Sequence, residues 1–223
     1  MQPYPLAERW CRRVPMWWCR ALPRRLLGAL ASVALLTSGL AFATTPEPPT
    51  TTAPVTAGQR FAVHGAADGA VPAWTLDAVA PPGWTADCCT YAKAIGVNFV
   101  LYRGEWTGNP QQVMVLNVWP RKLPTLAAEV KADRAHYLQT DPAAKVSPIT
   151  IRHPTMACQA TLYQGSDHVD DIVVFCAPSA ASGIRWSWSL TLDDGDPTRG
   201  ALLDQFMRVV VASHYARGAT PGR

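Results

Sequence analysis

The sequence predicts an α+β domain in which a mostly antiparallel sheet is packed by helices. Strand-like runs outnumber helical ones, neighbouring strands are joined by short hairpin turns, and the helices fall between sheet segments. The part of the chain that carries these patterns is about 150 residues long, which is enough to bury one proper hydrophobic core.

The N-terminal residues 1–43 have the pattern of a secretory signal peptide. Arginines precede an apolar run over residues 26–43, and the run ends in Ala-Phe-Ala, a typical cleavage pattern. Met16 is an alternative start that gives a leader of more ordinary length. The other interpretation is an uncleaved membrane anchor, because the apolar run reaches the lower length limit for a span. The predicted location is therefore the periplasm or the medium, reached by the general secretory route, with anchoring by an uncleaved leader as the alternative.

Cleavage changes the charge of the protein. Of the 20 basic and 16 acidic residues, six Arg and one Glu lie in residues 1–43, which leaves 14 basic and 15 acidic residues. The mature chain is thus close to neutral and has no basic field for nucleic acid or an anionic membrane. We expect no nucleic-acid partner and no membrane insertion after cleavage.

Three further segments follow the leader. Residues 44–58 contain four Pro and six Thr without apolar periodicity, which predicts a disordered linker. Residues 59–216 form the single predicted α+β domain, and residues 217–223 are predicted to be a frayed tail.

The first half of the domain contains four candidate strands. Residues 74–79 and 84–89 are short and weakly patterned, the second being either a strand or a loop. Residues 95–102 alternate between apolar and other side chains. Residues 112–119 are apolar on both faces, which predicts a central strand covered on two sides.

A helix is predicted between Thr125, as its N-cap, and the stop signal Asp141-Pro142. Its apolar side is expected to pack on the sheet and its charged side to face water. The apolar set is Leu126, Val130, Tyr137 and Leu138, and the charged set is Glu129, Lys131, Asp133 and Arg134.

The stretch from Met156 to Ala177 reads as a hairpin. Folding it about Asp167 sets Cys158 opposite Cys176. Two further pairs of apolar residues then lie on the same face of the hairpin as the cysteines. These pairs are Ala160 with Val174 and Leu162 with Ile172. In an exported protein this register predicts a cross-strand Cys158–Cys176 disulfide.

The other cysteine pair of the mature chain is Cys88-Cys89. Consecutive strand residues point to opposite sides, so a bond between them requires a distorted backbone, more tolerable in a loop than in a strand. The alternatives for this pair are a second disulfide, a buried free thiol and a soft-metal site, for which no further ligands are evident. We favour the disulfide.

The last predicted elements are a strand over residues 183–192 and a helix that ends near His214. The strand alternates strictly, with Trp186 and Trp188 on its apolar face. The helix carries its apolar side chains along one side: Leu203, Phe206, Met207 and Val210.

Two motifs resemble the Mog1/PsbP-like superfamily. The turn Pro81-Pro82-Gly83-Trp84 and a closing helix that contains Phe206 are similar to features of that superfamily, and the resemblance covers about residues 74–214. It implies an α/β/α sandwich and a non-catalytic role as an assembly factor, adaptor or exported binding protein. It implies no site residues, because no functional motif matches, and the cysteine pair and the linker are not part of the pattern.

The sequence contains no motif typical of an enzyme, and we expect no cofactor. Scattered histidines and two acidic clusters, residues 167–171 and 193–196, lack the spacing of a metal site, so turn formation explains them and no metal is expected. Trp106, in a Gly-rich turn, is the best candidate for contact with a partner.

These observations predict an exported, non-catalytic binding, adaptor or assembly-type protein of the bacterial envelope with a protein partner. The alternative is a secreted hydrolase-like enzyme with a dispersed active site, since such sites are recognised by geometry and not by order in the sequence. A carbohydrate-binding or inhibitor domain built around Trp106 is a third possibility.

Overall fold

The computed structural model describes residues 60–67, 71–106, 112–179 and 182–218. The predicted leader, the predicted linker and residues 219–223 of the predicted tail lie outside the described residues.

Within these ranges the chain forms ten strands and three helices. The helices are α1 (Tyr91–Ala94), α2 (Leu126–Thr140) and α3 (Arg199–Val211). The strands are β1 (Arg60–Gly65), β2 (Trp74–Val79), β3 (Trp84–Asp87), β4 (Phe99–Arg103), β5 (Gln112–Pro120), β6 (Lys145–Ile149), β7 (Ala157–Gln164), β8 (Val169–Ala177), β9 (Ile184–Asp193) and β10 (His214–Arg217).

The strands form two antiparallel sheets. The larger has the order β3-β4-β5-β9-β8-β7-β6, and the smaller has the order β1-β2-β10. All neighbouring pairs in both sheets are antiparallel. The predicted α+β class with a mostly antiparallel sheet is confirmed.

The main core lies between the large sheet on one side and the small sheet with α3 on the other. Trp186 and Trp188 of β9 are almost completely buried there, as their alternation predicts, and Phe206 of α3 contributes to the same core. Trp84 Nε1 donates a hydrogen bond of 3.1 Å to Gln205 Oε1, which joins β3 to α3.

Helices α1 and α2 cover the opposite face of the large sheet, α1 over β4 and α2 over β7 and β8. Val174 of β8 belongs to the main core, whereas Phe175 packs with Val130 of α2, since successive strand residues point to opposite faces. The result is the predicted α/β/α arrangement, with the small sheet added to the layer of α3.

The orientation predicted for α2 is wrong in part. Thr125 caps the helix, its Oγ1 accepting from Ala128 N at 3.1 Å, as predicted. However, Glu129 is buried whereas Leu138 is exposed. The helix turns its acidic side chains toward the sheet because the facing strands carry an arginine and hydroxyl groups that pair with them.

The C-terminal end also differs from the prediction. Helix α3 ends at Val211, and residues 214–217 form β10, which pairs with β2, where a helix end and a frayed tail were predicted. The buried Ser213 makes the turn, and its Oγ donates to Val209 O at 2.8 Å. Gly218 N then donates to Ala73 O at 2.8 Å. A four-residue strand at a sheet edge has no periodicity of its own, so the sequence pattern did not reveal it.

None of the helices in the described ranges combines the length and the apolar character needed to cross a membrane.

Candidate functional site

The loop between β3 and α1 is organised by the carboxylate of Asp87, a buried residue at the end of β3. Its Oδ1 accepts hydrogen bonds from Tyr91 N at 2.7 Å, Ala92 N at 2.8 Å and Thr90 N at 3.2 Å. The first amides of a helix have no partner within the helix, so an acceptor at this place stabilises the helix start. Asp87 therefore holds both ends of the loop.

Cys88 and Cys89 occupy that loop and are bonded to each other. Their Cα atoms are 3.7 Å apart, and both residues are exposed. The pair lies outside regular strand structure, where the distortion required by a bond between neighbours is tolerated. Of the alternatives open for this pair, the structure has the disulfide.

Three aromatic rings gather beside this loop. The rings of Tyr91 and Trp106 are stacked, with centroids 4.8 Å apart and planes inclined by 17°. Tyr102 of β4 meets both rings edge-on, at 5.2 Å from Trp106 and 5.7 Å from Tyr91. Offset-stacked and edge-to-face pairs are the favourable arrangements of aromatic rings. We call the surface formed by Cys88, Cys89, Tyr91, Tyr102 and Trp106 the aromatic corner.

Trp106 is less exposed than its position in a Gly-rich turn suggests. It packs against the apolar cluster between α1 and the sheet and remains partly accessible. Ala92 and Val100 form the fully buried base of this cluster. The corner is thus a surface whose aromatic rings are held in place from below.

The corner offers contact area and no reactive base. Burial raises the pKa of the Tyr102 hydroxyl, and the nearby Tyr91 and Asp87 act in the same direction. Tyr102 is therefore a neutral phenol at physiological pH. Such a surface can bind through apolar contact and hydroxyl hydrogen bonds.

The predicted hairpin has the predicted register. Cys158 pairs with Cys176, Ala160 with Val174 and Leu162 with Ile172. The two cysteines are bonded, and Cys176 is completely buried in the main core. This disulfide belongs to the core and not to the accessible surface.

The two acidic clusters are used in structural contacts. Arg199 donates from Nε and Nη2 to Asp170 Oδ2, at 2.8 and 2.5 Å, and so ties the start of α3 to β8. Asp194 pairs with His168 at 3.0 Å, and Asp196 accepts from Thr198 N at 2.7 Å. Across the described residues, no group of three or more His, Cys, Asp or Glu side chains could hold a metal ion.

A buried polar layer lies between α2 and the sheet, and the sequence pattern did not predict it. Glu129 forms an ion pair with Arg185 of β9, with 3.4 Å between Oε1 and Nε, and both side chains are almost fully buried. One turn further along α2, Tyr163 of β7 donates a hydrogen bond to Asp133. Tyr137 lies on the following turn of α2, and its hydroxyl donates a hydrogen bond of 3.3 Å to Asp171. The four-residue spacing of these α2 side chains was the available signal.

The electrostatics of this layer follow from its burial. The pKa of Asp133 is raised to about 7, mainly by desolvation and also by the nearby Asp171, whereas the hydrogen bond from Tyr163 opposes the shift. Burial raises the pKa of Glu129 as well, and Arg185 opposes this. The pKa of Tyr163 is raised by its burial and by Asp133.

Fold and surface together define a three-layer α+β domain with one disulfide in its core and one on its surface, next to an aromatic cluster. No protein-family model and no curated protein matches the sequence. Among solved structures, the chain is similar to cyanobacterial PsbP (CyanoP) from Synechocystis sp. PCC 6803, with a TM-score of 0.45 and 12% identity. The likeness covers 76% of this chain and 100% of that one.

Proposed function

We propose that the protein is an exported, non-catalytic binding or assembly module of the bacterial envelope, and that a protein partner binds at the aromatic corner. The observation that carries this proposal is the partly exposed Tyr91–Trp106 stack beside the exposed Cys88–Cys89 disulfide. Tyrosine and tryptophan are the side chains that most often dominate the binding energy of protein interfaces.

The corner has the rigidity that a binding surface needs. Asp87 holds the start of α1, and Ala92 anchors the helix in the cluster beneath it. Side chains that are already ordered lose little conformational entropy on binding, so more of the contact energy appears as affinity.

Export is supported by the leader pattern and by the two bonded cysteine pairs, because disulfides persist in oxidising compartments. The near-neutral mature chain favours a protein partner over nucleic acid. The carboxyl group of Asp133 is enclosed between α2 and the sheet and accepts a hydrogen bond from Tyr163, which argues against a role for it in the hydrolase alternative.

Site-specific photo-cross-linking in the protein's own host tests the proposal. A photoreactive residue replaces Lys93, an exposed position on α1 beside the corner, or Lys145, an exposed position on β6 at the far edge of the large sheet. We expect a discrete protein adduct from position 93 and not from position 145.

Two variants complete the test. Trp106→Ala should abolish the adduct from position 93, whereas Leu138→Ala, which removes an exposed apolar side chain from α2, should leave it unchanged. Equal labelling from both positions, or an adduct that survives Trp106→Ala, would refute a binding site at the corner. Glycan-array binding that Trp106→Ala removes, without a protein adduct, would establish the carbohydrate-binding alternative instead.

A further inference from the structure

We infer that Cys88–Cys89 is a thiol–disulfide exchange site whose redox state sets the position of Tyr91 on Trp106. The inference stands on the geometry of this loop and does not require the partner proposed above.

The two disulfides differ in access. Cys88 and Cys89 are both exposed, whereas Cys176 is completely buried and Cys158 is packed against the main core. Exchange requires an attacking thiolate to reach one of the sulfur atoms, so exposed disulfides are the labile ones and buried ones resist reduction. A reductant should therefore discriminate strongly between the two pairs.

The loop connects the disulfide to the aromatic rings. The bond between neighbouring cysteines closes a small ring that contains their own peptide group, and this ring lies between Asp87 and Thr90. The Asp87 carboxylate reaches across the ring to the amide of Tyr91, whose side chain stacks on Trp106. Opening the ring returns conformational freedom to the loop and loosens the stack.

The structure of the rest of the domain should not change when the Cys88–Cys89 bond is reduced. Ala92, the residue after Tyr91, is fully buried with Val100 in the cluster under α1. The base of α1 therefore stays docked when the ring opens, and the change is confined to the loop and the rings above it. Such a confined change suits reversible control of a surface.

The chemistry is a standard exchange with an external dithiol. A thiolate of the reductant attacks one sulfur of the pair, which breaks the Cys88–Cys89 bond, forms a mixed disulfide and leaves a thiolate on the other cysteine. The second thiol of the reductant then attacks the mixed disulfide and releases Cys88 and Cys89 as thiols. Two electrons and two protons pass from the dithiol to the protein, and the reductant leaves as a disulfide.

The test begins with graded exposure of the folded protein to dithiothreitol, followed by maleimide trapping and peptide mass spectrometry. We expect Cys88 and Cys89 to be labelled at least about ten-fold faster than Cys158 and Cys176. Protein unfolded in urea is the control, in which all four cysteines should be labelled. Equal rates for the two pairs in the folded protein, or protection of Cys88 and Cys89, would overturn the inference.

Tryptophan fluorescence then tests the link to the stack. Reduction should change the emission of the wild-type protein, and the change should be absent in Trp106→Phe, although the other tryptophans remain. A Cys88→Ser/Cys89→Ser variant should show the emission of the reduced protein and should not respond to dithiothreitol. An unaltered change in Trp106→Phe would refute the coupling between the disulfide and the ring. Neither result depends on a partner, so failure here is distinguishable from failure of the cross-linking experiment.

Discussion

Cys158 and Cys176 face each other across the β7–β8 hairpin with their Cα atoms 4.2 Å apart, and Cys176 lies opposite Trp186 of β9 on its other side. The disulfide thus joins two adjacent strands on the face where the main core packs. It links residues 18 apart in sequence.

Removing this disulfide should destabilise the domain. In the chain-entropy model a bridge that closes a loop of this length stabilises a protein by about 3 kcal/mol. Cys158→Ala/Cys176→Ala should therefore lower the free energy of unfolding in urea by roughly that amount. The Cys88→Ser/Cys89→Ser variant is the control. Its loss of unfolding free energy should be much smaller, because the Cys88–Cys89 bond joins neighbouring residues and closes almost no loop. Equal losses would contradict the assignment of the two pairs to different roles.

The carboxyl group of Asp133 should make stability depend on pH. Its pKa is 3.8 in the unfolded chain and about 7 in the folded protein. Between these values the folded state holds a proton that the unfolded state has lost, so the free energy of unfolding falls as pH rises through this window. The contribution is fully present below pH 3.8 and is lost progressively as pH rises to about 7.

Asp133→Asn isolates this effect, because asparagine does not titrate and still accepts from Tyr163. Urea unfolding at pH 5 and pH 8 should show a smaller loss of stability with rising pH in the variant than in the wild type. Each unit of difference in pKa corresponds to about 1.4 kcal/mol. The same pH slope in both proteins would show that Asp133 is not the group responsible.

Removing one partner of the Glu129–Arg185 ion pair should lower the free energy of unfolding more than removing both partners. Arg185→Met leaves the carboxylate of Glu129 buried without its partner, and such a change costs about 3–5 kcal/mol. The double variant Glu129→Leu/Arg185→Met should lose less unfolding free energy than Arg185→Met alone, because no buried charge remains. A double-mutant cycle in urea at pH 8, where Glu129 is ionised when unfolded, measures the difference. Additive losses would mean that the two side chains are not coupled.

Asp87 should control the order of the aromatic corner. Asp87→Ala removes the acceptor for the three amides at the start of α1, so these amides should exchange with solvent faster. Hydrogen exchange of residues 90–92 measures the effect, and Asp87→Asn, which keeps one acceptor oxygen, should be intermediate. Exchange that is unchanged in Asp87→Ala would show that the carboxylate does not hold the loop.

Local patterns in the sequence were sufficient for the fold class, the register of the cysteine hairpin, the cap at Thr125 and the buried faces of β5 and β9. Each depends on interactions between neighbours along a strand or helix, or across one hairpin turn. The alternation of β9 placed Trp186 and Trp188 together on the core face, because alternate residues of a strand point the same way. The opposite face of β9, with Arg185 and Ser187, is buried as well, which the alternation did not indicate.

Only the tertiary structure decided which polar side chains are buried and which surface the aromatic rings form. Glu129 and Asp133 face inward because Arg185 and Tyr163, distant in sequence, stand opposite them. The aromatic corner likewise joins the start of α1 to Trp106, across β4. Such pairings depend on how the layers are stacked, and the pattern of a single segment contains no information about the residues that will face it.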